Sequence, residues 1–224
     1  MKKNIVLLAG VVFLVATMAF AQDSGVPWTR ASAKDGVVGY TRSSSEPNVV
    51  EFKAIGIVKA PVAVVESMLR DFTAWKDFMF MAKESRLIEA PGFKNSADSR
   101  YFYFRQGLPW PVSDRDSVAK IDFFVKQNGE VRLLVKDVPG DVLLTKGVIR
   151  MPLVEQQWIL KPVPEGTEVT YENRASAGGS LPTSVINLIL KVMGPNTLIN
   201  IRELVKQSKY QSKSIVTVTP LMEG

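Results

Sequence analysis

Apolar and polar residues alternate along most of the chain, and changes in their period mark out its elements. Val37 to Arg42 reads as a strand and Ser43-Ser44-Ser45-Glu46-Pro47-Asn48 as a turn. Val49 to Lys59 sets Val50, Phe52, Ala54, Gly56 and Val58 on one face against Glu51 and Lys53 on the other, which makes the pair a hairpin. Ahead of it, residues 22–36 form a short lead-in with helical spacing around Trp28 to Ala33, ended by Gly36. Pro61 suits a first helical position, and Val62, Val65, Glu66, Leu69 and Phe72 follow at helical intervals. Thr73 to Phe80 is either a second short helix or an aromatic-rich turn.

From Glu84 the pattern is strand after strand. Glu84 to Glu89 is one, and Ser99 to Gln106, with Tyr101, Phe102, Tyr103 and Phe104, is the next. Asp116 to Gln127 alternates Ala119, Ile121, Phe123 and Val125 against Lys120, Asp122 and Lys126. Asn128-Gly129 signals a two-residue hairpin, and Glu130 to Asp137 returns with Val131, Leu133 and Val135 facing inward. After a loop at residues 138–145, Lys146 to Lys161 is expected as one long strand with a bulge at Met151-Pro152. It carries Val154, Gln156, Trp158 and Leu160 on one face. Thr167 to Ser176 closes the series with Val169, Tyr171, Asn173 and Ala175.

The last element is the most apolar. After Gly178-Gly179-Ser180-Leu181-Pro182 a helical pattern runs to Tyr210. Val185, Ile186, Leu188, Ile189, Leu190, Val192 and Met193 cover an arc of roughly 200°, wider than a surface helix needs. Such a helix needs a large concave partner. Beyond Pro195 the apolar direction, set by Leu198, Ile201, Leu204 and Val205, turns by roughly 120°. A kink or a break at Gly194-Pro195 is therefore predicted. The half before it is expected over a ligand, and the half from Asn196 on the sheet's end or on the earlier helices. The layout is α+β: a strongly curved antiparallel sheet with one face covered by the last helix.

Composition narrows the chemistry. An apolar share of 46% and a charged share of 22% belong to a folded globular chain rather than a disordered one. There is no Cys and no His, which excludes thiol nucleophiles, Cys/His metal sites and His-dependent triads. No metal site and no cofactor are expected. The net charge of +6 shows no Lys/Arg run, so nucleic acid is not an expected partner.

The N-terminus reads as a leader. Lys2 and Lys3 precede an apolar stretch from Ile5 to Ala16, and Ala19-Phe20-Ala21 supplies a small-residue cleavage site. Cleavage after Ala21 is expected, which gives a signal peptide at 1–21, a domain at 22–210 and a tail at 211–224. The mature protein would be periplasmic or secreted and would depend on its core rather than on disulfides. Losing Lys2 and Lys3 leaves a mild basic excess. That suits weak attraction to anionic headgroups, and equally an ordinary solvated surface.

Four stretches, in order, carry a resemblance: Gly36-Val37-Val38-Gly39-Tyr40-Thr41-Arg42; Phe52 to Val58 with a helix and Trp75 after it; Pro111-Val112-Ser113-Asp114-Arg115-Asp116; and Gly179-Ser180-Leu181-Pro182 with Asn187, Pro195, Leu198 and Arg202. From about Trp28 to Gln207 the chain resembles START (steroidogenic acute regulatory protein-related lipid transfer) domains of the exported bacterial kind. The resemblance implies a helix-grip (START/Bet v 1-like) fold, in which the sheet wraps the C-terminal helix and one lipid lies in a tunnel between them.

On that footing the expected wall is Phe52, Trp75, Phe104, Ile121, Phe123, Leu133, Val135 and Trp158, with Ile189 and Met193 from the helix, although each would serve as plain core. Gln106, Gln156 and Asn173 are the inward polar candidates, for a ligand or for structural hydrogen bonds. The family's sterol-binding members carry a buried acid and an arginine on adjacent strands. The matching positions here, Phe104 and Ile121, are both apolar, which argues against sterol-type head recognition. Arg115 and Asp116 look like ligand residues, but a salt bridge or cap that fixes their turn is the expected role, and Glu172 and Arg174 are expected to face water. Val142, Leu143 and Leu144 either gate the tunnel or simply begin the next strand.

The expected function is lipid binding or transfer by a monomer that touches the membrane transiently, with sterol, hopanoid, phospholipid and fatty acid undistinguished. The alternative is an enzyme like the polyketide cyclases and aromatases of related folds. No inward pair of carboxylates supports it, and Tyr103 or Tyr171 alone is a weak acid–base candidate.

Overall fold

The computed structural model describes residues 25–138 and 144–211. The expected signal peptide, most of the C-terminal tail, and the gate candidates Val142 and Leu143 lie outside the described residues.

Ten strands form one sheet: β1 (Thr29–Lys34), β2 (Val37–Arg42), β3 (Val49–Val58), β4 (Ala82–Leu87), β5 (Ser99–Gln106), β6 (Arg115–Val125), β7 (Val131–Asp137), β8 (Ile149–Arg150), β9 (Leu153–Val163) and β10 (Gly166–Ser176). Their order is β1-β2-β3-β10-β9-β7-β6-β5-β4, antiparallel throughout, and β8 adds one short parallel pairing to β6. The helices are α1 (Val62–Leu69), a 3-10 turn at Phe72–Ala74, α2 (Trp75–Phe78), α3 (Thr183–Leu204) and α4 (Ser208–Gln211). This is an α+β helix-grip fold.

Four expectations are corrected. The lead-in around Trp28 to Ala33 is not helical: Thr29–Lys34 is the edge strand β1, paired with β2. The Asn128-Gly129 turn is not a two-residue loop. Lys126 N–H donates to Glu130 O at 2.8 Å and Gly129 N–H to Lys126 O at 3.0 Å, with Gly129 at φ 80°, which makes a three-residue loop with a left-handed glycine. The segment from Lys146 is two strands, because Pro152 has no N–H to extend a ladder and the chain changes partner from β6 to β7 and β10 there.

The fourth correction concerns the break offered, beside a kink, for the long helix. α3 runs unbroken through Gly194-Pro195 to Leu204. Both of its apolar directions are buried because they meet different neighbours. On one side Arg202 Nε donates to Ile57 O at 2.8 Å. On the other, Thr197 Oγ1 accepts from Phe80 N–H at 3.1 Å and Asn200 Nδ2 donates to Phe78 O at 3.1 Å. The second half thus packs against both the sheet and the N-terminal helical segment.

The inner face alternates as the pattern requires: Val131, Leu133 and Val135 on β7, Trp158 and Leu160 on β9, and Val169 and Tyr171 on β10 are all buried. The outer face is less wet than expected. Glu51 is only 3% exposed, and Arg42 and Arg174 reach it while Trp28 lies against Arg42 and Lys53. Arg174 also pairs with Glu46 and Glu155, so its outward position is an ion network rather than free solvent. A second small core of Ile88, Tyr103 and Val118 lies behind β5 and β6, with Ala90 and Phe93 packed on it.

Candidate functional site

Below the first half of α3, strands β3, β10, β9, β6 and β5 leave a cavity. Its apolar side is Val50, Phe52, Phe104, Leu108, Met151, Val154, Ala175, Ala177, Ile189 and Met193, and its polar side is Gln106, Arg115, Ser117, Gln156, Tyr171 and Asn173. The centre of a water-sized sphere can sweep about 40 Å³ inside it. A single water needs roughly 10–15 Å³ by that measure, so the closed cavity has room for about three waters and a lipid chain must widen it.

Seven of the expected residues meet here: Phe52, Phe104, Gln106, Gln156, Asn173, Ile189 and Met193. Six others do not. Trp75, Ile121, Phe123, Leu133, Val135 and Trp158 belong to the closed core. The segment from Phe72 to Phe78 fills the space above them. Trp75 lies 6.0 Å from Trp158 and 5.0 Å from Phe102, Phe78 lies 6.3 Å from Trp158, and Phe72 lies 6.5 Å from Phe123. Strand periodicity assigns Ile121, Phe123, Leu133, Val135 and Trp158 to the inner face correctly, but it cannot say that the segment carrying Trp75 covers that face. Leu144, the described member of the gate trio, is 59% exposed.

The polar side carries open hydrogen-bonding capacity. Gln156 Nε2 donates to Asn173 Oδ1 at 3.2 Å, while Gln156 Oε1 is buried with no donor among the described residues. A buried polar atom left so costs about 1–3 kcal/mol. Tyr171 stacks on Trp158 at 4.0 Å, and burial pushes its phenol pKa upward, so it stays a neutral hydroxyl.

Arg115 is expected first of all to fix its turn. It does so: Nη1 donates to Ser113 O at 2.5 Å, Nε to Ala177 O at 3.2 Å and Nη2 to Gly178 O at 3.2 Å. This ties the β5–β6 loop to the lead into α3. It also lines the cavity at 2% exposure, and burial lowers its pKa. Asp116, on the opposite face, pairs with Arg150 at 2.8 Å. The signal that could have found Arg115 was parity: it lies two residues before Ser117 and directly opposite Gln106.

On the same loop Trp110 is 93% exposed, two residues from the cavity-lining Leu108. The Trp110-Pro111 peptide is cis.

No protein-family model matches the chain. It is 31% identical to a crystal structure of a STAR-related lipid transfer protein from Xanthomonas axonopodis, covering 80% of this chain and 99% of that one with a TM-score of 0.72. The chain belongs to the STAR-related lipid transfer family. An uncharacterized protein of Pseudomonas aeruginosa is 30% identical over 197 residues, 88% of this chain and 93% of the relative. Human STARD10 is 15% identical, with a TM-score of 0.69 over 82% of this chain and 75% of that one, and shares the START fold.

Proposed function

We propose that this STAR-related chain is an exported monomer that holds one lipid between the sheet and the first half of α3 and carries it between membranes without making or breaking a bond. The observation that carries the reading is the two-sided cavity. An apolar side from α3 and β3 faces polar groups that have hydrogen-bonding capacity to spare. Burying an acyl chain there is worth roughly 0.8 kcal/mol per methylene. A lipid that displaces the helix can therefore offset the strain of opening it.

The lining offers no carboxylate, His or Cys for proton transfer, which favours carriage over catalysis. Export rests on the leader-like residues at 1–21. Contact with a membrane is supported by Trp110, an indole held in solvent beside the cavity's loop end.

The test is native mass spectrometry of the protein purified from its host, followed by transfer of labelled lipid between vesicles. One lipid per chain and transfer above the spontaneous rate are expected. A ligand-free protein that moves no lipid would overturn the reading, and turnover of the labelled lipid would replace it with an enzyme.

A further inference from the structure

We infer that the lipid held here is an anionic amphiphile whose carboxylate or phosphate-monoester head is bound by Arg115 with Gln106 and Ser117. The inference rests on the lipid-binding reading and adds the chemistry of the head.

Arg115 carries a full charge at 2% exposure, and among the described residues no carboxylate lies within ion-pair distance of it. The two acids next to it in sequence are engaged elsewhere, Asp114 with Lys83 and Arg105 and Asp116 with Arg150. The three carbonyls that Arg115 reaches accept three of its five N–H groups and neutralise none of its charge. A buried cation without a counter-charge is costly, and an anion supplied from outside removes that cost. Among the described residues one N–H on each terminal nitrogen is left over, and a guanidinium is the side chain best suited to a carboxylate or phosphate.

The neighbours are donors too. Gln106 is paired across the ladder with Arg115, and Ser117 follows it on the same face. Both line the cavity, and neither side chain has a hydrogen-bond partner among the described residues. The site is at the loop end of the cavity, beside Leu108, Met151 and Ala177, where a head would be the last part to enter. Apolar surface for the tail begins immediately inward, at Val154, Ile189 and Met193.

The experiment compares three amphiphiles with the same hexadecyl-length chain on the purified protein: palmitate, hexadecyl phosphate and 1-hexadecanol. Competition against a fluorescent fatty probe reads their affinities, and native mass spectrometry reads one-to-one occupancy. At least one anion should bind about tenfold or more tighter than the alcohol, the scale of a charge-assisted pair. Which anion leads tells carboxylate from phosphate. Arg115→Gln should bring anion and alcohol together while alcohol binding persists. If that variant does not fold, Gln106→Leu, which leaves the carbonyl bonds of Arg115 intact, should narrow the preference at least about threefold. Equal binding of alcohol and anions by the wild type overturns the inference, as does an unchanged preference in folded Arg115→Gln, and in both cases lipid binding stands. Failure of the wild type to bind any of the three overturns the lipid-binding reading itself.

Discussion

Ser32 Oγ donates to the carbonyl of Lys191 at 3.1 Å. That carbonyl is the acceptor that residue 195 would satisfy in an uninterrupted helix, and Pro195 has no N–H to give. An edge strand thus completes the hydrogen bonding of α3 where its own backbone cannot, and the helix passes through Pro195 without ending. The register shift between Arg30 and Ser32 on β1 accompanies this placement.

A double-mutant cycle tests this account. Ser32→Ala should lower stability by about 0.5–1 kcal/mol in urea unfolding. In a Pro195→Ala background the N–H of residue 195 returns to the Lys191 carbonyl, and the same Ser32→Ala change should cost close to nothing. Equal costs in both backgrounds would show that the bond contributes nothing specific to the proline.

Gly194 lets α3 approach β3 closely. A Cβ there would lie 2.9 Å from Ala54 Cβ and 3.1 Å from Phe52 Cδ2, and neither neighbour can yield, being 0% and 2% exposed. On helix propensity alone Gly194→Ala would gain about 1 kcal/mol. Here overpacking wins, and a net loss of about 1–3 kcal/mol is expected by chemical denaturation. A stabilised variant would refute the contact.

Acid should loosen the contact of Asp71 with the C-terminal turn. Burial pushes the Asp71 carboxyl upward, but hydrogen bonds from Thr73, Lys209 and Tyr210 and the charge of Lys209 outweigh it and hold the pKa at about 2. The folded value lies below the unfolded one. The stabilisation is therefore complete above about pH 4 and is lost as pH falls toward 2. Asp71→Asn should cost on the order of 1–2 kcal/mol at neutral pH, after allowance for partial solvent screening, and much less near pH 2. Unfolding midpoints of both proteins across that range measure it, and parallel curves would count against it.

If Trp110 seats the protein on a bilayer, Trp110→Ser should slow lipid transfer between vesicles several-fold. Circular dichroism and thermal unfolding should be nearly unchanged, because the indole is 93% exposed and little packs against it. Wild-type tryptophan fluorescence should shift to the blue on adding anionic vesicles, and the variant should lose that shift. Unchanged transfer would remove Trp110 from the membrane contact.

The strands were legible because one face is consistently buried. Ser99–Gln106 is found as read, and Val131, Leu133 and Val135 all point inward. The strand β1 was not legible, because an edge strand whose ends are exposed has no clean alternation to show. Of the kink or break predicted at Gly194-Pro195, the break is absent because the partners of the helix, Ser32 and the Phe78–Phe80 segment, lie more than a hundred residues away. The site was half legible for a similar reason. Periodicity gives the face on which Phe123 and Trp158 lie, but only the folded chain shows that Phe72 and Trp75 fill the space above them. Arg115 was read as a turn residue, and that role is real. Its second role depends on Gln106 and Ser117 coming beside it, which requires the β5–β6 register.

The stack of Tyr171 on Trp158 gives the cavity an end wall. From Tyr171 outward, Asn173, Ala175 and Ala177 line the cavity as far as the loop end, a depth of about 20 Å at roughly 3.3 Å per residue. An end wall of rigid, fully buried rings works as a ruler. Once the cavity has widened, a straight chain that reaches Tyr171 with its head at Arg115 spans that depth, and a longer one must double back under Ile189 or leave carbons outside. Discrimination by chain length would then be set by two aromatic rings, separately from whatever the head group contributes.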